Sequence, residues 1–295
     1  MKPLHLRIDV CTFRGLRDGV PAILDLLQRT GIRATFFVAF GPDTSGRALP
    51  RLLSPPFLRA MLRRRAASCY GLATAFYGTL LPAPLIGAGL PDIVRRIRDE
   101  GHEVGAHGWD HRAWQDRLPR YAPERLREEF ARMVESYRAE LGRLPASFAA
   151  PAWTVTAGLL EAEEANGLRY ASDARGGSPF LPVFEGQNFD VPQLPVSLPT
   201  LDELLTAMDR SRAVEEVLAQ ARSQPDYACF TAHAEIEGWI YRGEFETILR
   251  RIERPVEPLG EALLDVERLD DLPLREIRMA AIPGRAYAVC RVVEG

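Results

Sequence analysis

The feature that most constrains the fold is an alternation of short apolar runs with stretches of helical periodicity, kept up along most of the chain. Leu4–Val10 is an apolar run ended by a turn, and Gly19–Thr30 then places Val20, Ile23, Leu24 and Leu27 on one helical face before Gly31 closes it. Arg33–Phe40 (RATFFVAF) is β-branched and aromatic, hence a second strand. A helix over Asp92–Glu100, closed by Gly101, precedes a strand at Glu103–Ala106. The order continues as helix Pro123–Leu141, strand Ala146–Ala150, helix Ala157–Asn166, strand Arg169–Ser172, a helix from Leu201 to Met208 and beyond, and strand Tyr227–Thr231. This pattern predicts an α/β chain with parallel strands, either a barrel or an open sheet.

Composition narrows the function classes. Of 295 residues, 46% are hydrophobic and 26% charged, the balance of a folded globular chain, and a net charge of −3 gives no global sign of a nucleic-acid partner. Cys11, Cys69, Cys229 and Cys290 form no C-x-x-C pair, so neither a disulfide framework nor a zinc ribbon is indicated. The opening MKPLHLRIDV lacks the apolar core of about 7–15 residues that a secretory signal needs, and a cytoplasmic location is expected.

One segment stands apart. Residues 44–91 contain no Asp or Glu but six arginines, Arg47, Arg51, Arg59, Arg63, Arg64 and Arg65, and read as an insertion between two core units. Gly71, Gly78, Pro82, Pro84, Gly87 and Gly89 interrupt its apolar part, which argues against a membrane span. Arginines beside Phe57, Leu58, Met61 and Leu62 suit peripheral contact with an anionic membrane surface through residues 47–90, the alternative being a covering loop with its arginines in water. Residues 255–295 form a C-terminal extension ending in a strand-like AYAVCRVV, read as an added edge or cover.

The chemistry-bearing residues follow strands. His107 and His111, in GHEVGAHGWDH, are four apart, and one helical turn would aim both imidazoles at a single metal ion. Asp9 ends the first strand in RIDVCT, Cys11 lies two residues on, and His233 follows the strand in ACFTAHAEIEG. Alone, Asp9 fits a turn cap, Cys11 a small buried hydrophobe and His233 a core histidine. Together they occupy the carboxyl ends of different strands, where β/α proteins place their chemistry. Arg175 and Trp153 suit sugar or phosphate contacts, since guanidinium grips phosphate bidentately and indole offers a stacking face; packing or a salt bridge is the equal alternative.

RIDVCT, GHEVGAHGWDH and TAHAEIEG resemble the first, second and last motifs of the polysaccharide deacetylase (NodB-homology) family. The likeness is closer to one branch, deformylases acting on 4-deoxy-4-formamido-L-arabinose-phosphoundecaprenol in lipid A modification. It runs in order through FFVAFGPDTSGR, FLRAMLRRRAASCYG, LRYASDARG, QLPVSLPTLDE and HAEIEG, from about Leu6 to Gly238. The resemblance implies an irregular (β/α) barrel forming a single catalytic domain. It implies Asp9 as general base, His107 and His111 as metal ligands, and His233 as general acid with Asp173 orienting it. It also implies a lipid-linked aminosugar substrate met at the inner face of the inner membrane. Two positions depart from the pattern. Cys11 stands where the family has the aspartate that supplies the third metal ligand, which points to a Cys-His-His zinc site. Thr154 stands where the branch carries an arginine that orients the catalytic acid, so Asp9 is expected to be less constrained. An N- or O-deacetylase of another glycan, and a sugar-lipid binding protein without turnover, are the alternative readings.

Overall fold

The computed structural model describes residues 2–48, 73–266 and 268–293. The inserted Arg51, Arg59, Arg63, Arg64 and Arg65, with Phe57, Leu58, Met61 and Leu62, lie outside the described residues. The expected α/β barrel is present. Its sheet is parallel, with strands β1 (Leu4–Val10), β2 (Thr35–Val38), β3 (Glu103–Ala106), β4 (Ser147–Phe148), β5 (Tyr170–Ala171) and β8 (Ala228–His233) in the order β5-β4-β3-β2-β1-β8. Every residue of β1 and β8 is buried, as expected of strands covered on both faces.

The helices cover the sheet for reasons legible in their spacing. Helix α1 (Val20–Thr30) buries Val20, Ile23, Leu24, Leu26 and Leu27, and Gly31 ends it in the left-handed conformation at φ 66°. After α2 (Pro91–Asp99), α3 (His111–Arg117) leads into the long α4 (Pro123–Leu141). This last helix buries Leu126, Phe130, Met133, Tyr137 and Leu141, a run of three- and four-residue steps, each large apolar side chain contributing ~1.5–3 kcal/mol by leaving water. Helices α5 (Ala157–Ala165), α6 (Leu201–Leu204), α7 (Arg210–Ser223) and α8 (Arg242–Arg251) complete the series among the described residues.

Strands β5 and β8 do not pair with each other. The segment 192–198 bridges them: Leu194 N–H donates to Ala171 O at 2.8 Å, and Leu198 N–H to Cys229 O at 3.0 Å. The barrel is therefore closed on that side by irregular backbone. Strands β4 and β5 are shorter than their apolar runs suggest. In β4 the reason is local, because Ala149 O and Ala150 N, just past its end, are bonded to the side chains of His107 and Asp173.

The C-terminal extension is more than an edge or a cover. Its first strand, β9 (Val256–Pro258), pairs with the first half of β1. Its last two, β10 (Leu274–Ala280) and β11 (Val289–Val292), form a second sheet with the hairpin β6 (Leu181–Phe184) and β7 (Gln187–Asn188), in the order β11-β10-β6-β7. Arg175 N–H donates to Cys290 O at 2.9 Å, which joins this sheet to the loop after β5.

Candidate active site and metal centre

The site lies at the carboxyl ends of β1, β3 and β8. Parallel register sets Asp9 of β1 directly beside His233 of β8. Cys11 follows the end of β1, and His107 follows the end of β3. The expected helical turn between His107 and His111 is not what pairs them. The chain turns at Gly108, φ 75°, and His111 opens α3 behind its N-cap, Asp110, whose carboxylate accepts from Ala113 N–H at 2.9 Å and from Thr44 Oγ1 at 2.7 Å. A strand end and a helix start thus bring the rings to 4.9 Å between centroids.

Cys11 Sγ and one nitrogen from each of His107 and His111 lie within 4.8 Å of one another. His107 Nδ1 donates to Ala149 O at 2.7 Å, which fixes its tautomer and leaves the Nε2 lone pair facing the cluster. Burial pulls His107 down to about 4 against the opposing pull of Asp9, and it pulls His111 well below the usual range. Both imidazoles are therefore neutral, the form that binds a cation. Glu235 Oε1 holds the ligand loop by accepting from Cys11 N–H at 2.8 Å, Thr12 N–H at 2.7 Å and Thr12 Oγ1 at 2.9 Å. A Cβ on Gly15 would sit 2.2 Å from that oxygen, so the loop can close on Glu235 only with glycine there. One sulfur and two nitrogens converging in this way suit a divalent metal ion.

Asp9 is held by a residue that pattern reading passed over. Arg7, two residues earlier on the same face of β1, makes a bidentate pair with it, Nε to Oδ1 at 2.6 Å and Nη2 to Oδ2 at 2.8 Å. Arg7 Nη1 donates to Ser172 O and, at 2.9 Å, to Ser172 Oγ. The two side chains are 1% and 2% exposed. Burial alone would raise the Asp9 pKa, but Arg7, His107 and His233 together bring it down to about 2. The expectation that Thr154 leaves Asp9 less constrained is thus corrected: the guanidinium comes from β1 itself. The available signal was a charge inside LHLRIDV, in phase with Asp9.

His233 Nδ1 faces Asp202 Oδ1 at 4.0 Å. Asp173, the carboxylate expected there, is engaged elsewhere, accepting from Ala150 N–H at 2.5 Å and from Gln193 Nε2 at 3.1 Å. It is a wall residue that ties β4 to the closing segment. Arg175 is likewise engaged, paired with both oxygens of Glu203 at 2.8 and 3.0 Å and donating to Leu198 O at 3.1 Å. Trp153 is 1% exposed, with Arg175 and Arg285 over its ring at 4.9 and 4.8 Å. Neither is a free sugar or phosphate contact; both build the wall. Ala152 and Trp153 have φ of 56° and 54°, backbone strain that the surrounding contacts must hold.

Replacing Arg7 with methionine strands a buried carboxylate, and the unfolding free energy in urea should fall by ~3–5 kcal/mol. Arg7→Met combined with Asp9→Leu removes both charges and should recover most of that loss; an equal loss in single and double variants would contradict the pairing.

Known proteins resemble this chain in sequence and in fold. The polysaccharide deacetylase family model matches residues 2–171. A 4-deoxy-4-formamido-L-arabinose-phosphoundecaprenol deformylase of Shewanella sediminis (strain HAW-EB3) is 41% identical over 286 residues, covering 95% of this chain and 91% of that protein. A deformylase of the same name from Wigglesworthia glossinidia brevipalpis is 29% identical, covering 92% and 96%. The crystal structure of a polysaccharide deacetylase from Mycobacterium smegmatis superposes with a TM-score of 0.64 at 16% identity, covering 96% of this chain and 95% of that one, a likeness of fold. On sequence and fold together, the chain belongs to the polysaccharide deacetylase family, alongside its formamido-arabinose deformylases.

Proposed function

We propose that this protein is a metal-dependent deformylase that hydrolyses the N-formyl group of undecaprenyl-phosphate-linked 4-deoxy-4-formamido-L-arabinose, releasing formate and the free 4-amino sugar. The observation that carries the reading is the meeting of a buried acid, a buried histidine and a three-donor cluster at one strand-end site, in a chain 41% identical to a deformylase over 95% of its own length.

Cys11, His107 and His111 would hold the cation, with zinc suited to a thiolate and two imidazoles. Asp9, held ionised by Arg7, accepts the proton of the attacking water. A carboxylate held near 2 is a weak base, so the water must itself be made more acidic, and a bound divalent cation supplies that together with polarisation of the formyl carbonyl. His233 protonates the departing nitrogen. Burial pulls its pKa down in spite of Asp202 and Asp9, which makes its imidazolium a strong acid, and Asp202 at Nδ1 steadies that charge when it forms.

A lipid-linked substrate places the enzyme at a membrane surface, here the cytoplasmic face of the inner membrane. The inserted segment leaves and rejoins the core at the site: Arg47 pairs with Asp110 at 3.8 Å, and Ile86 N–H donates to Gly41 O at 2.8 Å. Its described end exposes Phe76, Leu80, Leu81 and Leu85, and the loop after β8 exposes Trp239. Among the described residues no helix is long and apolar enough to cross a membrane, so the contact proposed is peripheral.

Purified protein should release formate from the formamido sugar-lipid, and Asp9→Asn should lower kcat by ~10²–10⁴-fold; release of acetate from the matched acetamido sugar, without formate, would redirect the reading to a deacetylase. With cobalt(II) in the site, a sulfur-to-metal charge-transfer absorption is expected in the near ultraviolet and should vanish in Cys11→Asp; its absence from the parent protein would remove Cys11 from the ligand set. Sedimentation with anionic liposomes at low salt, lost at high salt, is the expected behaviour of the basic segment, and protein left in the supernatant under both conditions would refute the membrane contact.

A further inference from the structure

Arg285 belongs to the C-terminal extension, more than a hundred residues beyond the matched family model, yet its side chain is buried at the site with 5% exposure. Its Nε donates to Glu203 Oε1 at 2.7 Å, and its Nη2 to Thr200 Oγ1 at 3.1 Å and Asp202 Oδ1 at 3.3 Å. The guanidinium lies over Trp153, whose indole meets His233 edge-on at 6.3 Å between centroids. Chain approach is close: a Cβ on Gly284, where φ is 80°, would lie 2.8 Å from Glu203 O. The same Asp202 oxygen that Arg285 grips is the one 4.0 Å from His233 Nδ1.

We infer that Arg285 is a positioning residue of the reaction: it fixes Asp202 opposite His233, so that the C-terminal extension is a working part of the active site. The physical reason is geometric. Asp202 sits at the start of α6, a helix of four residues, and a carboxylate there has other rotamers open to it. A planar guanidinium that bridges Asp202 and Glu203 while packed on Trp153 leaves one arrangement. Thr200 Oγ1 donates to the same Asp202 oxygen and Arg175 closes the other side of Glu203, so Arg285 works with the local cap to hold the two acids in place. This inference rests on the deformylase reading.

In Arg285→Gln, kcat for formyl release is expected to fall about 10- to 100-fold with KM within about twofold, since Arg285 acts through Asp202 and His233 and not on substrate. In an Asp202→Asn background the same change should cost less than about threefold, because the interaction it supports is already gone. Arg285→Lys keeps the charge but reaches only one carboxylate, and its kcat should lie between the two; it carries the test if the glutamine variant does not fold. Wild-type kcat in the folded variant, or losses that multiply across the Arg285–Asp202 cycle, overturns the inference. An inactive parent enzyme strikes the deformylase reading; an active parent whose folded Arg285→Gln variant keeps its kcat strikes this inference.

Discussion

The buried pair between Arg7 and Asp9 is the interaction on which the rest of the site depends. Two charges stand on β1, between β2 and β8, with both side chains shut off from water. Neither charge could remain there alone, because desolvation without a partner costs several kcal/mol per ion. Paired, they fix the direction of the acid and keep it ionised. The same strand then delivers Cys11 two residues later and sets His233 beside Asp9 through the register of β8, so one strand organises three functional groups.

Around this pair the protein builds a balanced lattice of buried charge. Arg7 answers Asp9, Arg285 answers Asp202 and Glu203, and Arg175 answers Glu203 from the other side, with Trp153 as the shared apolar partner of all three guanidiniums. Planar cations suit such a wall, since they stack on an indole while donating in their own plane. The strained backbone at Ala152 and Trp153 is held by this packing. It also explains why the extension after residue 255 cannot be a mere cover: it closes β1 through β9 and contributes one of the three cations.

The chemistry follows from where each donor comes to rest. In the proposed metal centre, sulfur at position 11, where the family resemblance implies an aspartate, would make the donor set softer and suit zinc better than harder divalent ions. In the proposed reaction the carboxylate work would fall to Asp9, whose oxygens are already aligned by Arg7, and the second proton to the Asp202–His233 pair.

The sequence by itself determined the element order, the parallel sheet and the identity of the convergent residues, because burial on both faces of a strand and on one face of a helix leaves a periodic trace that a local window can read. Leu4–Val10, Glu103–Ala106 and Pro123–Leu141 were legible to the residue, and so was the placing of Asp9, Cys11, His107 and His233 at strand ends, whereas His111 opens a helix. Tertiary structure alone decided which carboxylate faces His233, which arginine holds Asp9, and that Arg175 and Trp153 are wall residues. The physical reason is that partner choice among buried charges is a matter of position in space. Asp173 and Asp202 are alike as sequence, Arg285 lies 83 residues from the acid it grips, and no local pattern records which of them a folded chain brings within reach.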